Sequence, residues 1–338
     1  MHHFSLDRVK NAFATQPFTD MAARTFAPWV TIFMLHRIHM AEVGVQGLNQ
    51  DYLRHCLKYL KDAGYQFISV EDAIARSLAN NLERKKWVAF TLDDGCFEQI
   101  QVAAPLFKQF DCPSTCFLIS GYVDGSLWPW DYKLQHLFSE ANQESIEIDV
   151  AGKQFTVQIK QPKAYELVIQ LIRAHAADQT EEIVTQVAVK LNIVIPTTPP
   201  PELSPTSWEQ VRAAEKLGMQ FGAHSISHRN LSALTDAELD REISISIDRL
   251  HTECKRPARV FCYPSGKIGE FDDRAINILK KKNVVGALSA EPGYLYTARI
   301  KKSDELYRIP RMAMPKDFET FKLYVSWAQY MREKLATL

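Results

Sequence analysis

The stretch WVAFTLDDGCFE, residues 87–98, decides how the rest of the chain is read. Trp87 to Leu92 form a short apolar run that includes Val, Phe and Thr, the composition of a strand buried on both faces, and the run stops at two adjacent carboxylates and a glycine. Such a strand delivers Asp93 and Asp94 to one end of a sheet. Neighbouring side chains of an extended chain point to opposite sides, so the two acids take different neighbours and different jobs only if the backbone turns there. Gly95 permits that turn. Read alone, Asp-Asp-Gly is a hairpin signal.

A second stretch changes the balance. GAHSISHRNLSAL, residues 222–234, carries His224 and His228 at a spacing that one helical turn or a tight loop brings onto one ion, and imidazole is a usual zinc ligand. Two histidines, one carboxylate and a spare carboxylate, each just beyond a predicted strand, form a more specific constellation than a lone histidine pair.

Around these two stretches, short apolar runs alternate with amphipathic ones. WVTIFML (29–35), QFISV (66–70), STCFLIS (114–120), MQFGA (219–223), VFCYP (260–264), VVGALSA (284–290) and LYRIP (306–310) read as strands. Helices are expected over 49–64, with Leu53, Leu57 and Leu60 on one face, from a Ser69 cap to Leu78, over 97–110, over 274–282 and from Asp317 onward. Thr206 with Glu209 and Thr235 with Glu238 read as capping boxes opening two more. The alternation implies an α/β fold: a distorted (β/α) barrel of seven or eight parallel strands, with an open doubly wound sheet as the alternative.

The pattern breaks over 121–205. That segment holds an aromatic loop (LWPWDY, 127–132), a hairpin turning at Gly152, two helical stretches and the Pro-rich link IPTTPPPELSP (195–205). It reads as an inserted α+β segment placed to act as a lid. Residues 1–28 read as an N-terminal arm or helix, and 29–338 as one barrel domain carrying the insertion. In both candidate architectures ligands gather beyond the carboxyl ends of strands, where His36, Asp93, Asp94, His224 and the Tyr263–Gly266 loop all fall.

Composition bounds the rest. The chain has 338 residues, with 40 basic residues balanced by 40 acidic ones and no block of like charge, so nothing suggests a nucleic-acid partner. Six cysteines in a chain of this size read as reduced core thiols, and Cys112 and Cys116 lack the second pair a zinc ribbon needs. The first 20 residues lack a signal-peptide apolar core and Trp29–Leu35 is too short to span a bilayer, which gives the expectation of a cytoplasmic protein without a transmembrane segment.

TLDDG (91–95), HSISH (224–228) and YPSG (263–266), in this order, resemble the polysaccharide deacetylase family, carbohydrate esterase family 4. The resemblance covers roughly residues 28–135 and 202–315 and leaves out the insertion. It implies Asp94, His224 and His228 as ligands of a divalent metal, zinc foremost, and Asp93 as catalytic base in removing the N-acetyl group from an N-acetylated sugar of a polysaccharide, oligosaccharide or glycan precursor. The chemistry agrees: three protein ligands leave zinc an open position at which the pKa of water falls toward about 7. The family's C-terminal general-acid histidine is missing, since the last histidine is His251. His36 is the best replacement, resembling relatives whose motifs are permuted, and His39 is a weaker candidate; imidazole titrates near neutrality, which suits the role. Many relatives carry an Arg in the third motif where this chain has Cys262, and Arg311 in RIPRM is the expected substitute. The backbone N–H near Ser265 is the expected oxyanion donor. Tyr263 is expected to line the pocket, and Trp128 and Trp130 to stack on a sugar ring. Two other functions share these features: a carbohydrate-binding barrel that has lost turnover, and a non-haem iron oxygenase using the same two histidines and carboxylate.

Overall fold

The computed structural model describes residues 15–297 and 304–336, the side chains of 332–336 excepted. Within them lie eleven strands: β1 (Trp29–Leu35), β2 (Gln66–Phe67), β3 (Trp87–Leu92), β4 (Ser114–Leu118), β5 (Ser145–Val150), β6 (Lys153–Gln158), β7 (Gln220–Ala223), β8 (Val260–Cys262), β9 (Gly286–Leu288), β10 (Leu295–Tyr296) and β11 (Met312–Ala313). Strands β1, β3, β4, β7, β8 and β9 lie side by side, all parallel. Ile309 then bridges to Leu288 of β9, while Met312 and Ala313 pair in parallel with Phe33 and Met34 of β1. The segment 309–313 thus joins the two edges of the row, and the expected distorted (β/α) barrel is the observed architecture. β10 adds an antiparallel strip beside the start of β1.

The central strands are apolar because both faces are covered: every residue of β3 and β4 is buried. The covering helices follow the sequence cues. Asn49 caps Gln50–Asp62 by accepting from the N–H groups of Asp51 and Tyr52, and Leu53, Leu57 and Leu60 face the core. Thr235 and Glu238 form the expected capping box on Asp236–Glu253. The helix Gln16–Thr25 lies in the expected N-terminal arm, whose first 14 residues fall outside the described chain. All six cysteines are unpaired and buried.

Three local expectations are corrected. The strand expected over 66–70 stops at Phe67, because Ser69 caps a helix that already starts at Val70. The capping box before Trp208–Glu215 uses Ser207 and Gln210, not Thr206 and Glu209; two adjacent hydroxyl residues offer the motif in two registers. The strand expected over 306–310 is a short 3-10 turn at Glu305–Tyr307, and the pairing resides in Ile309 and in Met312–Ala313, beyond Pro310, which has no N–H to donate.

The insertion is a unit with its own apolar centre. The hairpin β5–β6 turns at Ala151–Gly152 and packs with helices Trp130–Glu140, Ala164–His175 and Thr180–Leu191 around Leu134, Ile148, Val168, Ile172 and Val184. Its exit returns to the barrel where the acids sit: Thr206 donates from its backbone to the Gly95 carbonyl at 2.9 Å.

Candidate active site

β3 ends in a turn that uses two residues in the left-handed region, Asp94 (φ 85°) and Gly95 (φ 84°). The turn expected at Gly95 therefore begins one residue earlier, on an aspartate, and this is what brings two sequence neighbours to one cavity. Ser225 and His228 in the loop after β7, and Ser265 and Gly266 after β8, share that sign of φ. Strained backbone of this kind persists only where surrounding contacts over-determine it. Here Gln99 does so, in a wide π-type turn over Gln99–Ala103. Its side-chain amide donates to the carbonyls of His36 and Asp93, and its oxygen accepts from the Gly95 N–H at 3.2 Å.

Around a cavity of about 290 Å³ the structure gathers His36, Asp93, Asp94, His224, His228, Tyr263, Ser265 and Arg311. Asp94 Oδ1 lies 3.6 Å from Nε2 of His224 and 3.6 Å from Nε2 of His228. Two of the remaining atoms are hydrogen-bonded, His224 Nδ1 at 2.7 Å from the Cys262 carbonyl and Asp94 Oδ2 accepting from the Tyr132 hydroxyl at 2.7 Å, while His228 Nδ1 faces Asp131 Oδ2 at an ion-pair distance of 3.3 Å. A carbonyl or carboxylate facing Nδ1 holds the proton there and leaves Nε2 a bare lone pair. These three potential ligand atoms face one another, and Asp94 Oδ1 is buried without a hydrogen-bond partner. A divalent cation resolves that arrangement, and the oxygen and two nitrogens are a donor set zinc accepts.

Burial pulls His224 down to about 4 despite the opposing pull of Asp93, which keeps it neutral and able to coordinate. For His228 burial also acts downward, but Asp131 outweighs it and raises the imidazole above its ordinary value. A second group, Asp93, His224 and Cys262, has metal-ligand spacing too. It suits a cation poorly: burial holds the Cys262 thiol well above its ordinary value, hence protonated, and the Arg311 guanidinium already sits 3.2 Å from its sulfur.

Asp93 is buried and paired. Arg311, 1% exposed, donates to its two carboxylate oxygens at 2.8 Å each and to the Ser289 carbonyl and the Thr91 hydroxyl at 2.9 and 3.0 Å. Burial alone would raise the Asp93 carboxyl, yet Arg311, helped by His224 and His36, holds it well below the usual carboxylate range. His36 Nε2 stands 3.8 Å from Asp93 Oδ2 with 48% of its side chain exposed, at the mouth of the cavity. His39 is not among the residues lining it.

The four expected substrate contacts fare differently. Tyr263 lines the cavity, but its hydroxyl donates to the Tyr307 carbonyl at 3.0 Å and its ring stacks on Phe271. Ser265 lines it as well, with a backbone N–H that donates to no acceptor among the described residues. Trp128 and Trp130 are each 4% exposed, and the Trp130 indole donates to the His228 carbonyl at 2.9 Å, so both rings are packing elements and not a platform for a sugar. Asp131 and Tyr132 escape a reading of sequence alone, because nothing in their spacing ties a residue of the insertion to ligands on β3 and β7.

The sequence matches the profile of the polysaccharide deacetylase family over residues 80–287. The chain belongs to the polysaccharide deacetylase family. It is an enzyme of that family, whose members include polysaccharide de-N-acetylases and carbohydrate esterases. No curated protein matches it in sequence. Its fold is similar to three solved structures. The Streptococcus pyogenes deacetylase PplD in complex with acetate is 18% identical, with a TM-score of 0.56 over 86% of this chain and 95% of that one. IcaB from Ammonifex degensii is 15% identical, with a TM-score of 0.56 over 89% and 97%. A de-N-acetylase from Aggregatibacter actinomycetemcomitans is 15% identical, with a TM-score of 0.54 over 88% and 100%. Among the described residues of this polysaccharide deacetylase, no helix is long and apolar enough to cross a membrane.

Proposed function

We propose that this polysaccharide deacetylase is a zinc-dependent hydrolase that removes the N-acetyl group from an N-acetylated sugar in a polysaccharide, oligosaccharide or glycan precursor. The observation that carries the reading is the convergence of Asp94 Oδ1, His224 Nε2 and His228 Nε2, three lone pairs facing one point, with the ionised Asp93 beside them. Bound there, zinc supplies Lewis-acid chemistry, making water nucleophilic near neutral pH and polarising the acetamide carbonyl.

The chain's own residues do the rest. Asp93 accepts a proton from the attacking water at Oδ2, which takes one donor, Arg311 Nη2, and keeps a further lone pair, while Oδ1 takes both Arg311 Nη1 and the Cys262 thiol. The Ser265 N–H, also on the cavity wall, donates to the carbonyl oxygen as negative charge develops on it. His36 at the cavity mouth gives a proton to the nitrogen as the C–N bond breaks, so that acetate and a free amino sugar leave. From the insertion, Gln135, Tyr165 and Arg173 reach the cavity wall, which supports its reading as a lid over the sugar.

The test is acetate release from N-acetylated hexosamine oligomers and polymers by zinc-loaded protein, run beside Asp93→Asn. Turnover lost with metal retained supports the assignment. A wild-type protein that holds zinc yet releases no acetate from any such substrate favours a binding barrel, and strict dependence on iron(II) and oxygen favours an oxygenase.

A further inference from the structure

Three consecutive residues of the insertion reach into the proposed metal site, each to a different atom of it. The indole N–H of Trp130 donates to the main-chain carbonyl of His228 at 2.9 Å. Asp131 Oδ2 lies 3.3 Å from His228 Nδ1. The Tyr132 hydroxyl donates to Asp94 Oδ2 at 2.7 Å. They sit on the first turn of Trp130–Glu140, whose remaining inward residues, Leu134 and Leu137, belong to the insertion's own core.

We infer that Trp130, Asp131 and Tyr132 form a metal-positioning element, by which the insertion sets the ligand geometry of a site whose ligands all lie on the barrel. This rests on the metal reading above. Each contact removes one freedom from a ligand. Asp131, facing His228 Nδ1 at 3.3 Å, favours the tautomer protonated there, which leaves the Nε2 lone pair toward Asp94. Tyr132 occupies one oxygen of Asp94 and so presents the other, Oδ1, singly to the two histidines. A phenol carries its proton at neutral pH, so the Tyr132 hydroxyl is a donor to Asp94. Trp130 fixes the backbone of His228, which stands at φ 61°, where a non-glycine residue needs outside support. The tyrosine is anchored in turn: its oxygen is 3.2 Å from Cys96 Sγ, and the Arg37 guanidinium lies over its ring.

The element makes metal affinity depend on residues that are not themselves metal ligands. The test is Zn²⁺ affinity by competition with a chromogenic chelator for wild type, Asp131→Asn and Tyr132→Phe, with Co²⁺ spectra of the same proteins and melting curves under EDTA. Asp131→Asn is expected to weaken Zn²⁺ binding about 10–100-fold and Tyr132→Phe about tenfold, with altered cobalt d–d bands. The metal-free melting temperatures should stay within a few degrees of wild type. Wild-type affinities and cobalt spectra in both variants would overturn the inference while leaving the metal site standing, as would a drop in metal-free melting temperature unaccompanied by either change. A wild-type protein that binds neither ion overturns the metal reading and this inference with it.

Discussion

Arg311 holds Asp93 in a two-pronged grip, Nη1 to Oδ1 and Nη2 to Oδ2 at 2.8 Å each, across 218 residues of chain and with both side chains buried. Paired in this way, a buried carboxylate stays ionised where burial alone would neutralise it.

The first prediction concerns that pair. Arg311→Met should destabilise the protein by about 3–5 kcal/mol, since it strands a buried charge. Chemical denaturation at neutral pH measures this. The acid side follows from sign: the folded Asp93 carboxyl titrates below its unfolded value of about 3.9, so its stabilisation is complete above that pH and is lost as pH falls through the folded value. For the metal-free wild type this group should contribute no change between pH 7 and 5 and a decline below about 4. In Arg311→Met that decline should shrink.

Asp93→Asn should lower kcat for acetate release about 10²–10⁴-fold, the range for removing a general base. Its zinc content by elemental analysis should match wild type, because the three proposed ligands are untouched. Loss of zinc in this variant would move Asp93 from base to ligand.

His224→Ala and Asp94→Ala should abolish stoichiometric zinc and, with it, activity. Zinc binds the folded chain, so adding it at about 100 times its Kd should stabilise wild type by about 2.7 kcal/mol and leave these variants unchanged. Differential scanning calorimetry with and without zinc checks this.

His36→Ala should reduce kcat about 10²-fold and preserve zinc content and metal-free stability, as expected of an exposed proton donor at a cavity mouth. The deficit should narrow on activated acetyl esters, whose leaving groups need no proton.

Gly95→Ala tests the turn itself. An added Cβ would approach Leu118 Cδ2 to 2.8 Å at φ 84°, so the substitution should cost more than about 1 kcal/mol in denaturant unfolding. Activity should fall further than stability, because both aspartates hang from this turn.

The proposed ligands stand out in the sequence because their signal is local: an acid pair closing an apolar run, and two imidazoles at a fixed spacing. Arg311 was readable only through resemblance, since its link to Asp93 is made by barrel closure and not by spacing. Asp131 and Tyr132 carried no signal, standing at the edge of the resemblance where none of its motifs falls, and Trp130 was misread because a tryptophan in a loop looks the same whether its ring faces a sugar or a core. Elsewhere the errors were of register. At Thr206–Ser207 two hydroxyls compete for one cap, and around Pro310 the apolar run and the pairing residues are offset by a few positions.

The stave at 309–313 that joins β9 to β1 also carries Arg311. During synthesis on the ribosome, then, a nascent chain can emerge with every proposed metal ligand in place and still hold Asp93 uncompensated. A product ending short of this five-residue segment should be both an open barrel and a poor catalyst.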